Sequence, residues 1–340
     1  MLLEITRSGL VAPVRIDPSG LTGPTAGQAR GPYWRSAGPR HYVAADAPAS
    51  TQQRIVEAVG ALPPGSAATG WAALHWLGAR WFDGTAADGS LLPVPVALGD
   101  QRGARSRRGV ALSEDWLFAD DVIVIDGLPI TIPERSVTYE ARTARDDVAA
   151  VRAIDMAAYD DLVDLEGLGA YAARLVGRSG KRRLLRALAV ADENSWSPME
   201  TVMREAWRGH RAGVLLCNAP IFDLNGRHQF TPDVFDPVAG VAADYDGADH
   251  LEGGRHSRDL MREELTRRLA IEVVTMMSGR GEVARFRYRL DGALARAAQR
   301  HGPRPWTVAQ PERWVDTSTV ARRLALTPDQ AERWLRHRRT

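Results

Sequence analysis

The sequence predicts a mixed α+β / α/β chain whose C-terminal half is built as helix, three strands, helix and strand, an αβββαβ core. Three observations carry that prediction. Ser197-Pro198-Met199-Glu200 is a capping box with proline at the first helical position, and Met199, Val202, Met203, Ala206 and Trp207 then form a helical apolar stripe. Asn225-Gly226 between apolar runs is the strongest short hairpin signal. The stretch His228–His250, HQFTPDVFDPVAGVAADYDGADH, then reads as two short strands about a turn at Asp236–Gly240.

Composition bounds the possibilities. A chain of 340 residues exceeds what one core usually covers, so two or three domains are expected. No apolar run reaches the length of a membrane span, and MLLEITRSGLVAPVRI carries charges too often for a signal peptide. The single cysteine, Cys217, excludes an internal disulfide and fits a reducing, cytoplasmic setting. Net charge is only +2, yet the segment from Arg280 onward is rich in arginine while 114–166 is acid-rich. Lys181 is the only lysine, so lysine chemistry elsewhere is excluded.

In chain order, residues 1–48 are rich in Gly and Pro, with one strand expected near His41–Ala44. Ser50 caps a helix to about Leu62, which Pro63-Pro64-Gly65 ends, and Ser66 starts a second one through SAATGWAALHWLGARW. Strands are expected at Val94–Leu98, Gly109–Leu112, Val122–Ile125 and Leu128–Ile132, with a basic loop GDQRGARSRRG between the first two. Pro133 opens a helix to Ala144, and helices follow at Asp147–Tyr159 and Leu165–Leu175. Beyond the helix at Ser197 come strands Pro220–Leu224, His228–Phe235 and Val241–Asp246, a charged helix Ser257–Leu269 and a β-branched strand Ile271–Met277. The tail STVARRLALTPDQAERWLRHRR reads as two short helices, either a helix-turn-helix or a hairpin packing Leu324, Leu326, Trp334 and Leu335 inward.

The chemistry concentrates in His228–His250. Asp244 and Asp246 are two apart on one strand, so they share a face, and both sit among small or apolar residues. Asp233 lies one strand earlier in an equally apolar setting, where a charge needs a function or a partner. Three carboxylates on adjacent strands with His250 beyond can hold a hard divalent cation.

These spaced features, Ser197-Pro198-x-Glu200, Pro232-Asp233, Asp244-x-Asp246-Gly247 with His250, and Arg258-Asp259 with Arg262 before the strand IEVV, resemble the PD-(D/E)xK nuclease fold. Within it they are similar to the branch of very-short-patch-repair endonucleases. The resemblance implies that Asp233, Asp244 and the Tyr245 carbonyl ligate Mg²⁺ (or Mn²⁺), that Glu200 orients the attacking water, and that Asp246 and His250 complete the catalytic group. One departure is visible, since the branch usually has Glu where Asp244 stands; the position many relatives in the wider fold fill with lysine is Asp246, where the branch commonly has Asp-Gly. Each residue also has a plainer role available: Glu200 in the capping box, Asp233 and Asp246 in turns, Asp259 with Arg262 as an ion pair.

A second resemblance covers roughly Gly31–Ala191. SAATGWAALHWLGA, DGLPITIPERSVTYEA and GRSGKRRLLRALAVA look like the region that follows the winged helix in AbiEi-type antitoxin proteins. The expected organisation is a wing-like segment 1–48 (with Arg30, Arg35 and Arg40 as backbone-contact candidates), an AbiEi-like region 49–191, a nuclease-like domain 195–280 and a basic helical tail 281–340. The implied function is metal-dependent hydrolysis of DNA phosphodiester bonds, in phage defence or DNA repair. The implied partners are DNA and a second copy of the chain, with no membrane. A non-catalytic DNA-binding regulator of antitoxin type is the alternative, and a catalytically idle interaction protein a third.

Overall fold

The computed structural model describes residues 3–99, 104–247 and 264–337. The chain is mixed α+β and divides into two compact units, Met1–Ala144 with Gly167–Leu184, and Arg145–Glu166 with Leu185–Thr340.

In the first unit, β1 (Val14–Arg15), β2 (Trp34–Gly38) and β3 (His41–Ala44) form an antiparallel sheet in the order β1-β3-β2. Helix α1 (Thr51–Gly60) begins as expected: the Ser50 hydroxyl accepts from the Gln53 amide at 3.1 Å. The next segment departs from expectation. Ala67–Ala68 is strand β4, and α2 (Gly70–Trp76) starts only after Thr69. Gly70 takes φ +54°, and a Cβ there would lie 2.2 Å from the Glu140 carboxylate, so the turn between strand and helix requires glycine.

Strands β5 (Val94–Ala97), β6 (Val110–Ser113), β7 (Val122–Ile125) and β8 (Leu128–Thr131) complete a five-stranded mixed sheet, β6-β5-β4-β8-β7. Asp126 and Gly127, both at positive φ, turn β7 into β8. Helix α3 (Pro133–Thr143) follows, with proline in its first turn. Of the basic loop, the described Arg107 points inward: its guanidinium donates to the carbonyls of Ala37, Glu57 and Ala58. Arg35, a candidate for phosphate contact, is instead clamped by both Glu57 oxygens at 2.6 Å.

The second unit begins with α4 (Asp147–Tyr159), while α5 (Leu165–Arg174) and α6 (Lys181–Leu188) straddle the division. After α7 (Pro198–Arg208) come β9 (Leu216–Cys217), β10 (Ile221–Asp223), β11 (His228–Phe230), β12 (Val234–Asp236) and β13 (Val241–Asp246). Residues 264–269 are helical, and β14 (Glu272–Met277), α8 (Glu282–Ala298), β15 (Trp306–Thr307), α9 (Val320–Leu324) and α10 (Pro328–His337) complete the unit.

The central sheet has the order β14-β13-β12-β9. Neighbours β9, β12 and β13 are antiparallel, and β14 returns parallel to β13 from Val241↔Glu272 to Asp246↔Met277. The single strand expected over His228–Phe235 is broken at Thr231-Pro232-Asp233, because Pro232 has no amide to give a ladder. Its first part pairs in a separate sheet, β11-β10-β15, and its second part joins the core. The first core strand is therefore Leu216–Cys217 rather than Pro220–Leu224.

Alternation sorts the core residues by face. Val234, Val241, Ala243, Val274 and Met276 pack against Met203 and Trp207 of α7 and Phe286 and Leu290 of α8. Phe235 and Ala242 face the other way, onto Ile221, Leu269, Ile271 and Trp306. Helix α7 is tied to α4 by a fully buried ion pair, Arg204 to Asp155 at 2.8 Å. Thr201 and the Asp192 amide also donate to that carboxylate, and Arg204 donates to Ser195 and Cys217 Sγ. In the tail, Leu326 and Trp334 are half-buried as expected while Leu324 and Leu335 are exposed, and the buried Arg323 anchors the hairpin on Asp161.

Candidate active site

The site grows from the register of β12 against β13. Val234 pairs with Ala243, so one step outward brings Asp233 beside Asp244. The two residues are stitched together reciprocally: the Asp233 amide donates to Asp244 Oδ1 at 3.3 Å, and the Tyr245 amide donates to Asp233 Oδ2 at 2.7 Å. Both carboxylates are half-buried. On β13, alternation puts Asp244 and Asp246 on the face shared with Ala242, away from α7 and α8. Tyr245 points the other way, against the helix-covered core, and lies opposite Met276 in the parallel ladder.

Glu200 comes from the first turn of α7. The Ser197 hydroxyl accepts from the Glu200 amide at 3.2 Å, which is half of the expected capping box. The other half is displaced by one residue, since Glu200 Oε2 accepts from the Trp196 amide at 2.7 Å. The same oxygen accepts from Asn218 Nδ2 at 2.7 Å. Burial pushes the Glu200 carboxyl above its ordinary value, against the opposing pull of those donors and of Arg204.

Asn218 is the residue that the sequence did not single out. It ends β9 at φ 45°, a left-handed conformation that asparagine tolerates better than most residues. Its side chain reaches Glu200 and the Asn194 carbonyl, while its amide donates to the Asp233 carbonyl at 3.0 Å. Glu200 and Asp233 are thus linked through one residue, by its side chain on one side and its backbone amide on the other. The available signal was an asparagine directly after the apolar strand, in Leu216-Cys217-Asn218.

His250, with His256, Arg258, Asp259 and Arg262, lies outside the described residues. Among the described residues, no three His, Cys, Asp or Glu side chains gather to hold a metal ion. Two adjacent carboxylates are nonetheless a donor set suited to a hard cation such as Mg²⁺, which commonly takes only one or two protein carboxylates and keeps its remaining water.

Cys217 is buried, and the thiol is pushed up by that burial, so it has no nucleophilic character. The chain matches no family model, and neither a curated protein nor a solved structure matches it.

Proposed function

We propose that this protein is a metal-dependent endonuclease that hydrolyses DNA phosphodiester bonds, in phage defence or DNA repair. The observation that carries the reading is the juxtaposition of Asp233 and Asp244 at the join of β12 and β13. The element order around it supports the PD-(D/E)xK assignment: a helix bearing Glu200, three antiparallel strands, a helical segment and a parallel fourth strand.

Asp233 and Asp244 would hold the cation, and Asp246 adds negative charge on the same face. Bound Mg²⁺ or Mn²⁺ supplies Lewis-acid stabilisation of charge developing on the phosphate. Glu200 Oε2 keeps Asn218 in place, and Oε1 would orient the attacking water. The raised proton affinity of this carboxyl suits a group that accepts a proton from water.

One observation favours a second reading, a DNA-binding regulator with an idle nuclease core: Asp233 and Asp244 already accept backbone amides, as purely structural carboxylates would. Incubation of plasmid with the protein and Mg²⁺ or Mn²⁺, beside Asp233→Ala and Asp244→Ala, separates the two. Cleavage by the parent chain and none by either variant is expected; equal cleavage by all three would remove these carboxylates from the chemistry, and DNA binding without cleavage would leave the regulator.

A further inference from the structure

We infer that a pocket in the second unit, walled by Trp196, Trp314 and Trp334, receives one unstacked nucleobase of a nucleic-acid strand beside the Asp233–Asp244 pair. The inference rests on the nuclease reading for the identity of the strand, and on the pocket itself for the base.

The pocket has a volume of about 250 Å³, room for a nucleotide rather than a duplex. It is formed where the tail, through Arg313, Trp314, Arg333 and Trp334, comes over Asn218 at the end of β9 and Trp196 before α7. Its aromatic walls are braced. Trp314 stacks on His228 at 5.2 Å and meets Phe222 edge-on at 4.9 Å. Trp196 and Trp334 meet edge to face at 5.3 Å, and the Trp196 indole N–H is committed to Asn194 Oδ1 at 2.9 Å. Rigid indoles are suited to stacking on a flat heterocycle, whichever base it is.

Two further features select a nucleotide over a plain apolar guest. Arg313 and Arg333 are both exposed at the pocket, where guanidinium groups can meet a backbone phosphate. Asn218 is 5% exposed, and its Nδ2 is taken by Glu200 and the Asn194 carbonyl. Its Oδ1 receives no hydrogen bond among the described residues and can accept from the exocyclic amine or ring N–H of a base.

The pocket also adjoins the chemistry. Asn218 bonds Glu200 through its side chain and Asp233 through its backbone, and Thr231, two residues before Asp233, is part of the same wall. A base seated there belongs to a nucleotide next to the phosphate that the two carboxylates would address. Extruding a base costs unstacking, which is least for a mismatched or single-stranded position. The pocket therefore selects DNA with an unpaired base near the cut.

The test uses the full chain in EDTA, so that no cleavage intervenes, and short single-stranded DNA carrying one 2-aminopurine, beside the same strand with an abasic site there. Titrations are run with the parent chain, Trp334→Ala and the conservative Trp334→Phe, each checked for folding by its thermal transition. The expected result is quenching of the 2-aminopurine on binding, and about tenfold weaker binding of that strand by Trp334→Ala with most affinity kept by Trp334→Phe. The abasic strand should bind the parent chain about tenfold more weakly, with no further loss in Trp334→Ala. Independent, additive losses, an unquenched probe, or no binding by the parent chain would each overturn the proposal. Base-dependent binding with no plasmid cleavage would overturn only the nuclease reading, and cleavage without base-dependent coupling only the pocket.

Discussion

Asp233 and Asp244 exchange support across two strands: the amide of Asp233 donates to the carboxylate of Asp244, and the carboxylate of Asp233 accepts from the amide after Asp244. Each carboxylate thereby fixes the other's strand end, so structural and chemical roles have to be separated by isosteric change. Asp244→Asn keeps an acceptor for the Asp233 amide but removes the charge. It is expected to lose plasmid cleavage by two orders of magnitude or more, with stability changed by no more than about 1 kcal/mol. Asp244→Glu restores the charge with one more methylene and is expected to retain Mg²⁺-dependent cleavage. Calorimetric Mg²⁺ titration and urea unfolding of both variants check the division; equal cleavage by Asp244→Asn would assign the residue to structure alone.

The Asp155–Arg204 pair is fully buried, so its worth depends on which partner is removed. Asp155→Ala leaves a buried guanidinium with only Ser195, Cys217, the Val190 carbonyl and a longer contact to Glu205 Oε1 at 3.5 Å, and is expected to cost about 3 kcal/mol. Replacing both groups with apolar residues, Asp155→Leu with Arg204→Met, should recover most of that loss, because the desolvation of both charges is then avoided. Chemical denaturation of the two variants measures the difference. A double variant no more stable than Asp155→Ala would mean that the surrounding hydrogen bonds, rather than the charge balance, hold α4 to α7.

What the sequence disclosed and what it did not divide along physical lines. Strand β13 was legible over Val241–Asp246 because one face is apolar and the turn glycine Gly240 marks its start. Helix α7 was legible from its cap. Strands β9 and β15 were not, since two residues carry no periodicity and their pairing is set by partners far along the chain. The break at Pro232 was signalled by the proline itself, but apolar alternation on both sides masked it. Asp233 and Asp244 stood out because a carboxylate in an apolar strand needs a reason. Asn218 and the Asp155–Arg204 pair did not, because left-handed backbone and a contact across 49 residues arise only from tertiary packing.

In the first unit, Asp115 is shared by three guanidinium groups: Arg142, Arg178 at 3.2 Å and Arg135 at 3.6 Å. Burial pushes the Asp115 carboxyl up, but the three arginines win and hold it below its ordinary value of 3.8. A depressed native pKa means that its stabilisation is present above the unfolded value and lost as pH falls through the native one. Asp115→Asn removes it at every pH and leaves Arg142 and Arg178 without a carboxylate partner among the described residues, with Arg135 keeping Asp121 at 3.9 Å, an expected loss of about 3 kcal/mol. Thermal unfolding should show that deficit at pH 7, partial relief at high salt, and convergence with the parent chain as pH falls below the depressed native value.

Glu140 gives a pH effect of the opposite sign. It closes the N-terminus of α2 by accepting from the Trp71 amide at 2.7 Å, and burial pushes its carboxyl from 4.5 up to about 7. The native state then holds the proton more tightly than the unfolded chain, so this residue's contribution is full below about pH 4.5 and is lost as pH rises toward 7. Glu140→Gln keeps the acceptor for Trp71 but has no proton to lose. The two proteins should match in stability near pH 4.5, and the variant should gain by about 1–2 kcal/mol at pH 8, once solvent access to the half-buried carboxylate is allowed for. Urea midpoints across that range check it; a variant that is less stable at pH 8 would mean that the helix dipole and the Trp71 amide favour the ionised carboxylate more than burial penalises it.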